Sequence, residues 1–387
     1  MDWGAGVEAM FRAIFVFLPF VAFGLLLFLF VLPTCRTMRL RTRLAVAAVL
    51  FVCCSKFLFF KVVGGDEFNP ELPQWVIWAY GWLYSGAMIS LALSILFFFL
   101  PRRVKLFALP AVAWTVSALG VWNGVKVPSV REVELECPGL PPGLDGYRVL
   151  QLADIHVSSS ARRWRTEAIV ARANAANADL IVCTGDIVDG PPETRWRDVE
   201  PLKDLKARDG VFFVTGNHEF YGNWYGWSVL YRKWGIRFLR DECVFPREGL
   251  ALGGVDDKAS LLLPASRPIY DPALAVERIF SASTNGEFRV LLQHRPGAAR
   301  WNALSGGVDL QLSGHTHGGV APPLRPLVAA ANGGFVRGAY ALSPPPDASA
   351  GHDGLLYVSP GCGQWAGFPI RLFNDSEISL LVLKRRL

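Results

Sequence analysis

Three stretches of this chain carry no charged side chain: residues 13–35, 72–101 and 106–125. A fourth, residues 44–60, is interrupted only by Lys56. Crossing the hydrocarbon core of a bilayer takes about 20 apolar residues in a helix. These runs therefore restrict the first third of the chain to membrane-spanning helices, expected near residues 13–33, 43–61, 74–100 and 106–124. Lys56 is expected to snorkel, its aliphatic stem lying along the helix and its ammonium reaching the membrane surface. The first run lacks a basic start, is too long for a cleavable signal and is followed by further runs, so it reads as a retained span.

Charge supports the same division. The 387 residues carry a net charge of +6. Residues 1–126 hold 11 basic and 5 acidic side chains, whereas residues 127–387 hold 28 of each. The excess thus belongs to the apolar third and not to a basic groove of the kind that tracks a phosphate backbone, so no nucleic-acid partner is expected. Four arginines lie in the loop Thr34–Arg43, and Arg102, Arg103 and Lys105 lie in the loop Pro101–Lys105, while Asp66, Glu67 and Glu71 occupy the loop between. Short basic loops stay on the cytoplasmic side. With four spans, everything after residue 126 is expected outside.

Residues 127–387 read as one α/β domain. Short apolar runs recur at Tyr147–Ala153, Leu180–Thr184, Val211–Thr215, Leu250–Val255, Arg289–Gln293, Val308–Ser313, Leu355–Ser359 and Ile378–Leu383. Helical patterns occur at Trp164–Ala176 and Trp224–Trp234. Polar residues follow many of the runs, where open α/β sheets place their sites. The seven cysteines form no C-x-x-C pair. A Cys137–Cys243 bridge would be permitted outside the cell, but ordinary burial is the simpler account of these residues.

Five of the six histidines fall in polar blocks that follow apolar runs. The blocks are Asp154-Ile155-His156, Gly185-Asp186 with Asp189, Gly216-Asn217-His218-Glu219, His294, and Gly314-His315-Thr316-His317. The sixth, His352, sits in a Gly-rich loop without such context. Imidazole, carboxylate and amide oxygen together suit transition metals better than calcium. The spacer in D-x-H and H-x-H separates two ligands that leave one extended segment. Glycines before Asp186, Asn217 and His315 permit sharp turns and close backbone approach. Asp186 can bridge two ions, an arrangement suited to in-line phosphoryl displacement.

These blocks resemble the signature of calcineurin-like metallophosphoesterases, over about residues 147–384. The flanking stretches Leu312–Gly319, Leu250–Asp257 and Asn374–Ile378 are similar to the bacterial membrane-associated branch, related to UDP-2,3-diacylglucosamine pyrophosphatase-like phosphodiesterases. Val320 stands where that branch usually has Gln, and a multi-span N-terminus replaces its more familiar single anchor. The resemblance implies an α/β fold: a four-layer α-β-β-α sandwich over residues 127–387, preceded here by a membrane domain of about four transmembrane helices over residues 1–126. It implies two divalent metal ions, manganese first, with zinc or iron fitting the same ligands. Asp154, His156 and His317 would hold one ion, Asn217, His294 and His315 the other, and Asp186 would bridge. His218 would serve the leaving oxygen and Asp189 would orient a ligand. A metal-bridging hydroxide would attack phosphorus.

The function expected is a membrane-anchored phosphodiesterase acting on a lipid-linked or glycolipid phosphodiester or pyrophosphate, multi-pass in a bacterial cytoplasmic membrane with its catalytic domain outside. Arg162, Arg163 and Arg165 are candidates for holding a second phosphate or a headgroup. The aromatic residues Phe220, Tyr221, Trp224, Tyr225, Trp227 and Trp234 crowd after the third block, and Trp and Tyr favour membrane interfaces. Two alternatives stand beside this reading. One is a phosphomonoesterase acting on proteins or nucleotides. The other is a membrane sensor or transporter with an inert phosphoesterase domain, which a missing ligand would support; none is missing.

Overall fold

The structure is a computed structural model that describes residues 17–31, 35–262, 272–283, 286–342 and 353–386. Part of the first expected span lies outside these residues, as does His352. The chain forms two compact units. One comprises residues 1–125 with Trp365–Leu372, the other residues 126–364 with Phe373–Leu387.

Two helices of the first unit, Gln74–Leu96 and Val104–Val125, are long and apolar enough to cross a membrane. Leu40–Cys54 and Lys56–Gly64 pass the same test as a pair bent by 60°, giving up to three candidate spans among the described residues where four were expected. The bend falls at Ser55, whose hydroxyl donates back to the Val52 carbonyl at 2.9 Å, a local bond that competes with the helical ladder. Small residues let the helices approach closely, as is usual in lipid. A Cβ on Gly86 would lie 2.9 Å from the Trp114 ring, and the Ser117 hydroxyl donates to the Trp82 carbonyl at 2.7 Å.

Lys56 does not snorkel. It is buried, its ammonium donates to the Gly367 carbonyl, and it stands 4.6–5.3 Å from the ring centroids of Phe57, Phe60, Tyr84 and Phe368. A cation is tolerated in such a place when a carbonyl and aromatic faces replace its hydration. Its acceptor lies in Trp365–Leu372, the segment that joins the helices from far along the chain.

The second unit contains two mixed six-stranded sheets. The first has the order β1 (Ser129–Cys137), β12 (Glu377–Arg385), β2 (Arg148–Leu152), β3 (Leu180–Cys183), β4 (Val211–Phe213) and β5 (Arg237–Phe238). All its neighbours are parallel except β12 and β2. The second has the order β10 (Gly338–Leu342), β11 (Gly354–Val358), β9 (Leu310–Ser313), β8 (Phe288–Leu292), β7 (Leu250–Gly254) and β6 (Glu242–Arg247). Here β7, β8, β9 and β11 run parallel and the two edge strands antiparallel.

Side-chain alternation along each strand builds the layers. Val149, Leu180, Val182, Leu252, Val290, Leu292, Leu310, Leu312 and Leu381 form one core from residues of both sheets. Their sequence neighbours Leu150, Ile181 and Leu380 pack with Ile169, Val170 and Ala173 of the helix Arg163–Ala175. On the other sheet, Ala251 and Leu291 pack with Val276, Ile279 and Phe280. All seven cysteines are free thiols, so burial, at about 1.5–3 kcal/mol per large aliphatic side chain, supplies the cohesion.

Leu310 is fully buried in the core shared by the sheets. Leu310→Ala should cost about 2–5 kcal/mol, read as a lower denaturation midpoint by near-ultraviolet circular dichroism. A change below about 1 kcal/mol would mean that the two sheets do not share one cooperative core.

Candidate metal centre

Each block of polar residues leaves the C-terminal end of an inner strand. Asp154 and His156 follow β2, Asp186 and Asp189 follow β3, and Asn217 and His218 follow β4. From the second sheet, His294 follows β8, while His315 and His317 follow β9. To turn sharply at these points the backbone enters the left-handed region at Asp154 (φ 48°), His156 (47°), Asp186 (53°), His315 (70°) and His317 (48°). Each such residue costs on the order of 1–3 kcal/mol, a strain that clusters at functional sites. Hydrogen bonds between the strand-end loops hold it. The Asp154 amide donates to the Gly185 carbonyl at 3.0 Å, the His156 amide to Asp186 at 3.1 Å, and the Gly363 amide to Asp154 at 2.7 Å.

Glycine is required where these loops meet. A Cβ on Gly185 (φ 90°) would lie 2.5 Å from the Gly216 nitrogen, and one on Gly314 would lie 2.5 Å from Asp154 Oδ2. Glu219 fastens the same junction. Its carboxylate accepts from the amides of Gly216 at 2.6 Å, Asp186 at 2.9 Å and Ile187 at 2.7 Å. Burial, reinforced by the Asp186 charge, pushes the Glu219 carboxyl up to about 7.

The folding brings the predicted ligands together as two groups. Potential ligand atoms of Asp154, His156 and His317 lie within 4.8 Å of one another, as do those of Asp186, His294 and His315. His156 Nε2 is 3.2 Å from His317 Nε2, and His317 Nε2 is 3.7 Å from Asp154 Oδ1. In the second group His294 Nε2 is 3.1 Å from Asp186 Oδ2 and 3.2 Å from His315 Nδ1. Asp186 Oδ2 is also 3.8 Å from His156 Nε2, so one carboxylate touches both groups.

The surroundings orient these atoms as metal ligands are oriented. His156 Nδ1 faces the Asp189 carboxylate at 3.0 Å, and His294 Nδ1 faces the Thr184 carbonyl at 2.7 Å. Both rings therefore present Nε2 to the cluster. The Asn217 Oδ1 atom is buried and accepts no hydrogen bond among the described residues. A buried acceptor of this kind is costly unless something else occupies it, and a cation suits it. The donor set fits a pair of divalent ions.

His218 lies beside the cluster. Its Nδ1 is 2.6 Å from Asp189 Oδ1, and its amide donates to Asp186 Oδ1 at 2.9 Å. Burial would lower this imidazole, but the Asp186 and Asp189 charges outweigh it and raise the group to about 9. Burial likewise opposes ionisation of Asp189, yet the His156 and His218 charges keep its carboxyl well below the usual range.

The three candidate arginines are engaged elsewhere. Arg165 is buried and donates to the carbonyls of Cys362 at 2.5 Å and Lys126 at 3.1 Å. Arg163 pairs with Glu167 at 2.7 Å and Glu200 at 3.0 Å, and Arg162 with Asp198 at 3.5 Å. None of these partners belongs to the histidine–carboxylate cluster. Of the aromatic residues after Glu219, Phe220, Trp224 and Trp227 are core, whereas Tyr221 and Tyr225 are exposed.

A different arginine faces the site. Arg295 follows the candidate ligand His294. Its Nε donates to Asp257 Oδ2 at 2.8 Å, and its Nη1 lies 3.2 Å from His315 Nε2. The Tyr221 ring is 5.4 Å from His218. Adjacency to His294 was the available signal for Arg295; Asp257 enters only through the end of β7. Asn374 was also missed as a positioning residue. It donates to the His317 carbonyl at 2.5 Å and accepts from Arg337 at 2.7 Å.

Comparison with known proteins agrees with this geometry. Residues 147–319 match the calcineurin-like phosphoesterase family. A Danio rerio protein named "Transmembrane protein with metallophosphoesterase domain" is 33% identical over 279 residues, covering 70% of this chain and 60% of its own. A metallophosphoesterase of Campylobacter jejuni, named as uncharacterized, is 33% identical over 68% of this chain and 65% of its own. A Bacillus subtilis metallophosphoesterase, also named as uncharacterized, is 31% identical over 63% of this chain and 82% of its own. The chain spans 60–65% of the length of the first curated relatives it matches. Its strand-end ligand blocks, its family match and its identity over most of the Bacillus protein establish that the chain belongs to the metallophosphoesterases.

Proposed function

We propose that this protein is a membrane-anchored two-metal phosphoesterase that cleaves a phosphodiester or pyrophosphate bond of a lipid-linked or glycolipid substrate. One observation carries the reading: the Asp186 carboxylate touches both groups of potential ligands, with the orphan Asn217 Oδ1 in the block that follows β4. Asp154, His156 and His317 would hold one ion, Asn217, His294 and His315 the other, and Asp186 both. Manganese is the first choice, and zinc or iron suits the same donors. When bound, such a pair activates water near neutral pH and neutralises charge on phosphoryl oxygens.

The side chains around that pair divide the remaining work. His218, kept protonated by the carboxylates beside it, is placed to give its proton to the leaving oxygen. Asp189 positions both His218 and His156. Arg295, itself aimed by Asp257, offers a guanidinium to a phosphoryl oxygen, and Tyr221 joins it at the edge of the cluster. A lipid-linked substrate is supported by the apolar helices in the same chain. The basic loops around Arg39 and Arg102 support a multi-pass arrangement in a bacterial cytoplasmic membrane with the phosphoesterase unit outside. The extra cation Arg295 also favours a phosphomonoester dianion, so mono- and diester rates are to be compared directly.

Chelation of the purified full chain should abolish hydrolysis of bis(p-nitrophenyl) phosphate, and manganese should restore it. Asp186→Ala should lose both turnover and bound metal; retention of full activity would sink the two-metal reading. His218→Asn should keep its metal but lose about 10²–10⁴-fold in kcat. The alkaline limb of its rate profile should vanish too, because that limb records loss of the His218 proton. A limb that persists would assign the proton to another group. A periplasmic reporter fused after Leu387 should be active, and a signal from a cytoplasmic reporter there would reverse the orientation.

A further inference from the structure

The chain that leaves the second ligand pair does not bury itself. After His317–Gly319 it makes a short turn at Pro322–Leu324 and a helix at Arg325–Ala331. None of these ten residues is buried, although apart from Arg325 all are apolar. Leu324 is 45% exposed and Leu327 68%. The one charged side chain is turned to the backbone, since Arg325 Nη2 donates to the Phe373 carbonyl at 3.1 Å. Phe373 is itself 74% exposed and held at φ 53°, an unfavourable conformation for a bulky residue. The segment also packs tightly toward the ligands, as a Cβ on Gly319 would lie 2.5 Å from Arg325 Cγ. An apolar patch of this kind on a charge-balanced unit marks a surface made for a partner.

The chain itself says which partner. Phe373 is bonded to Leu372, the last residue of the segment that groups with the apolar helices. The Arg371 amide donates to the Gly120 carbonyl at 2.8 Å, and a Cβ on Gly120 would lie 2.5 Å from Leu372 Cδ2. The exposed phenylalanine is thus one peptide step, about 3.8 Å, from a residue packed on a candidate membrane span. We propose that Pro322–Ala331 and Phe373 form a membrane lip. Leu324, Leu327 and Phe373 enter the interfacial region of the bilayer that the helices span, and the Arg325 stem lies beneath them. The lip begins five residues after His317. Its ligand is the lipid surface, and it presents the metal centre to phosphoesters embedded in that surface. The membrane contact is independent of the chemistry; only the statement about substrate access rests on the phosphoesterase reading.

The full chain in nanodiscs of phosphatidylcholine and phosphatidylglycerol tests this. An environment-sensitive fluorophore is placed at Leu327→Cys and, as a control, at exposed Glu193→Cys, with labelled wild type subtracted for the native thiols. The Leu327 label should emit to the blue, be quenched by brominated acyl chains and be spared by aqueous iodide, whereas the Glu193 label should behave oppositely. Quenching of the Leu327 label by iodide and not by brominated lipid overturns the lip. A blue-shifted label indifferent to both quenchers overturns it in favour of a protein partner or a second copy. A second measurement reads access. Leu324→Asp with Leu327→Asp should lower turnover of a nanodisc-embedded phosphoester roughly tenfold or more, with soluble aryl diester hydrolysis retained as proof of folding. Undiminished turnover of the embedded substrate would overturn the access role, and absence of any hydrolysis in wild type would fault the phosphoesterase reading while leaving the fluorescence result to stand.

Discussion

Asp186 is the point at which two sheets, two groups of histidines and a buried charge are reconciled. Its carboxylate is almost wholly excluded from water, and burial alone would neutralise it. His294, His218 and His156 surround it and keep it ionised. Those imidazoles can reach it only because strands from both sheets end at the same place, and the strands can end there only by turning through left-handed backbone at five of the seven candidate ligands. The strain, the glycines packed against Gly216 and Asp154, and the three amides collected by Glu219 are consequences of that one convergence. A closed, apolar version of the same sandwich would be easier to fold. The strained, charged version is what gathers imidazoles and carboxylates from both sheets at one place.

Much of this was legible in the sequence, for a physical reason. The eight apolar runs correspond to the eight inner strands, each covered on both faces and therefore continuous in hydrophobicity. The four strands that gave no signal, β1, β5, β6 and β10, are the four sheet edges. Half-exposed strands such as β1 and β6 carry arginine and glutamate where an inner strand carries valine, and they form no apolar run. At the site, the candidate ligands were visible because metal chemistry restricts residue type and spacing together. Arg295, Asp257 and Asn374 come from separate parts of the chain; adjacency to His294 marked only the first, and a lone carboxylate or amide has no spacing to betray it. Arg162, Arg163 and Arg165 made the opposite case. As a basic cluster they suggested anion binding, but each is consumed by carboxylates or carbonyls nearby.

Lys56 shows a similar limit. From its neighbours in sequence it was a polar interruption in an apolar run, for which reaching the water is the cheapest outcome. Its actual acceptor, the Gly367 carbonyl, lies 311 residues away. Four aromatic faces complete a setting in which a cation can remain without water. Only the return of Trp365–Leu372 to the helices creates that setting, and no periodicity or composition of those eight residues announces it.

That return has a bearing on how the two units can be inherited or handled separately. A linear cut after residue 126 looks like a clean domain boundary, yet it severs one unit and leaves the other with a fragment of its neighbour. The fragment contains Trp365, Phe368, Ile370 and Leu372, and it would be stripped of the helices that receive it. It emerges directly after Cys362 and Gly363, whose amides hold the carbonyls of Ala153 and Asp154. A phosphoesterase unit released from its apolar helices would therefore carry a sticky apolar tongue rooted beside Asp154. Modular exchange of this domain between anchors is accordingly constrained at residue 365 as much as at residue 126.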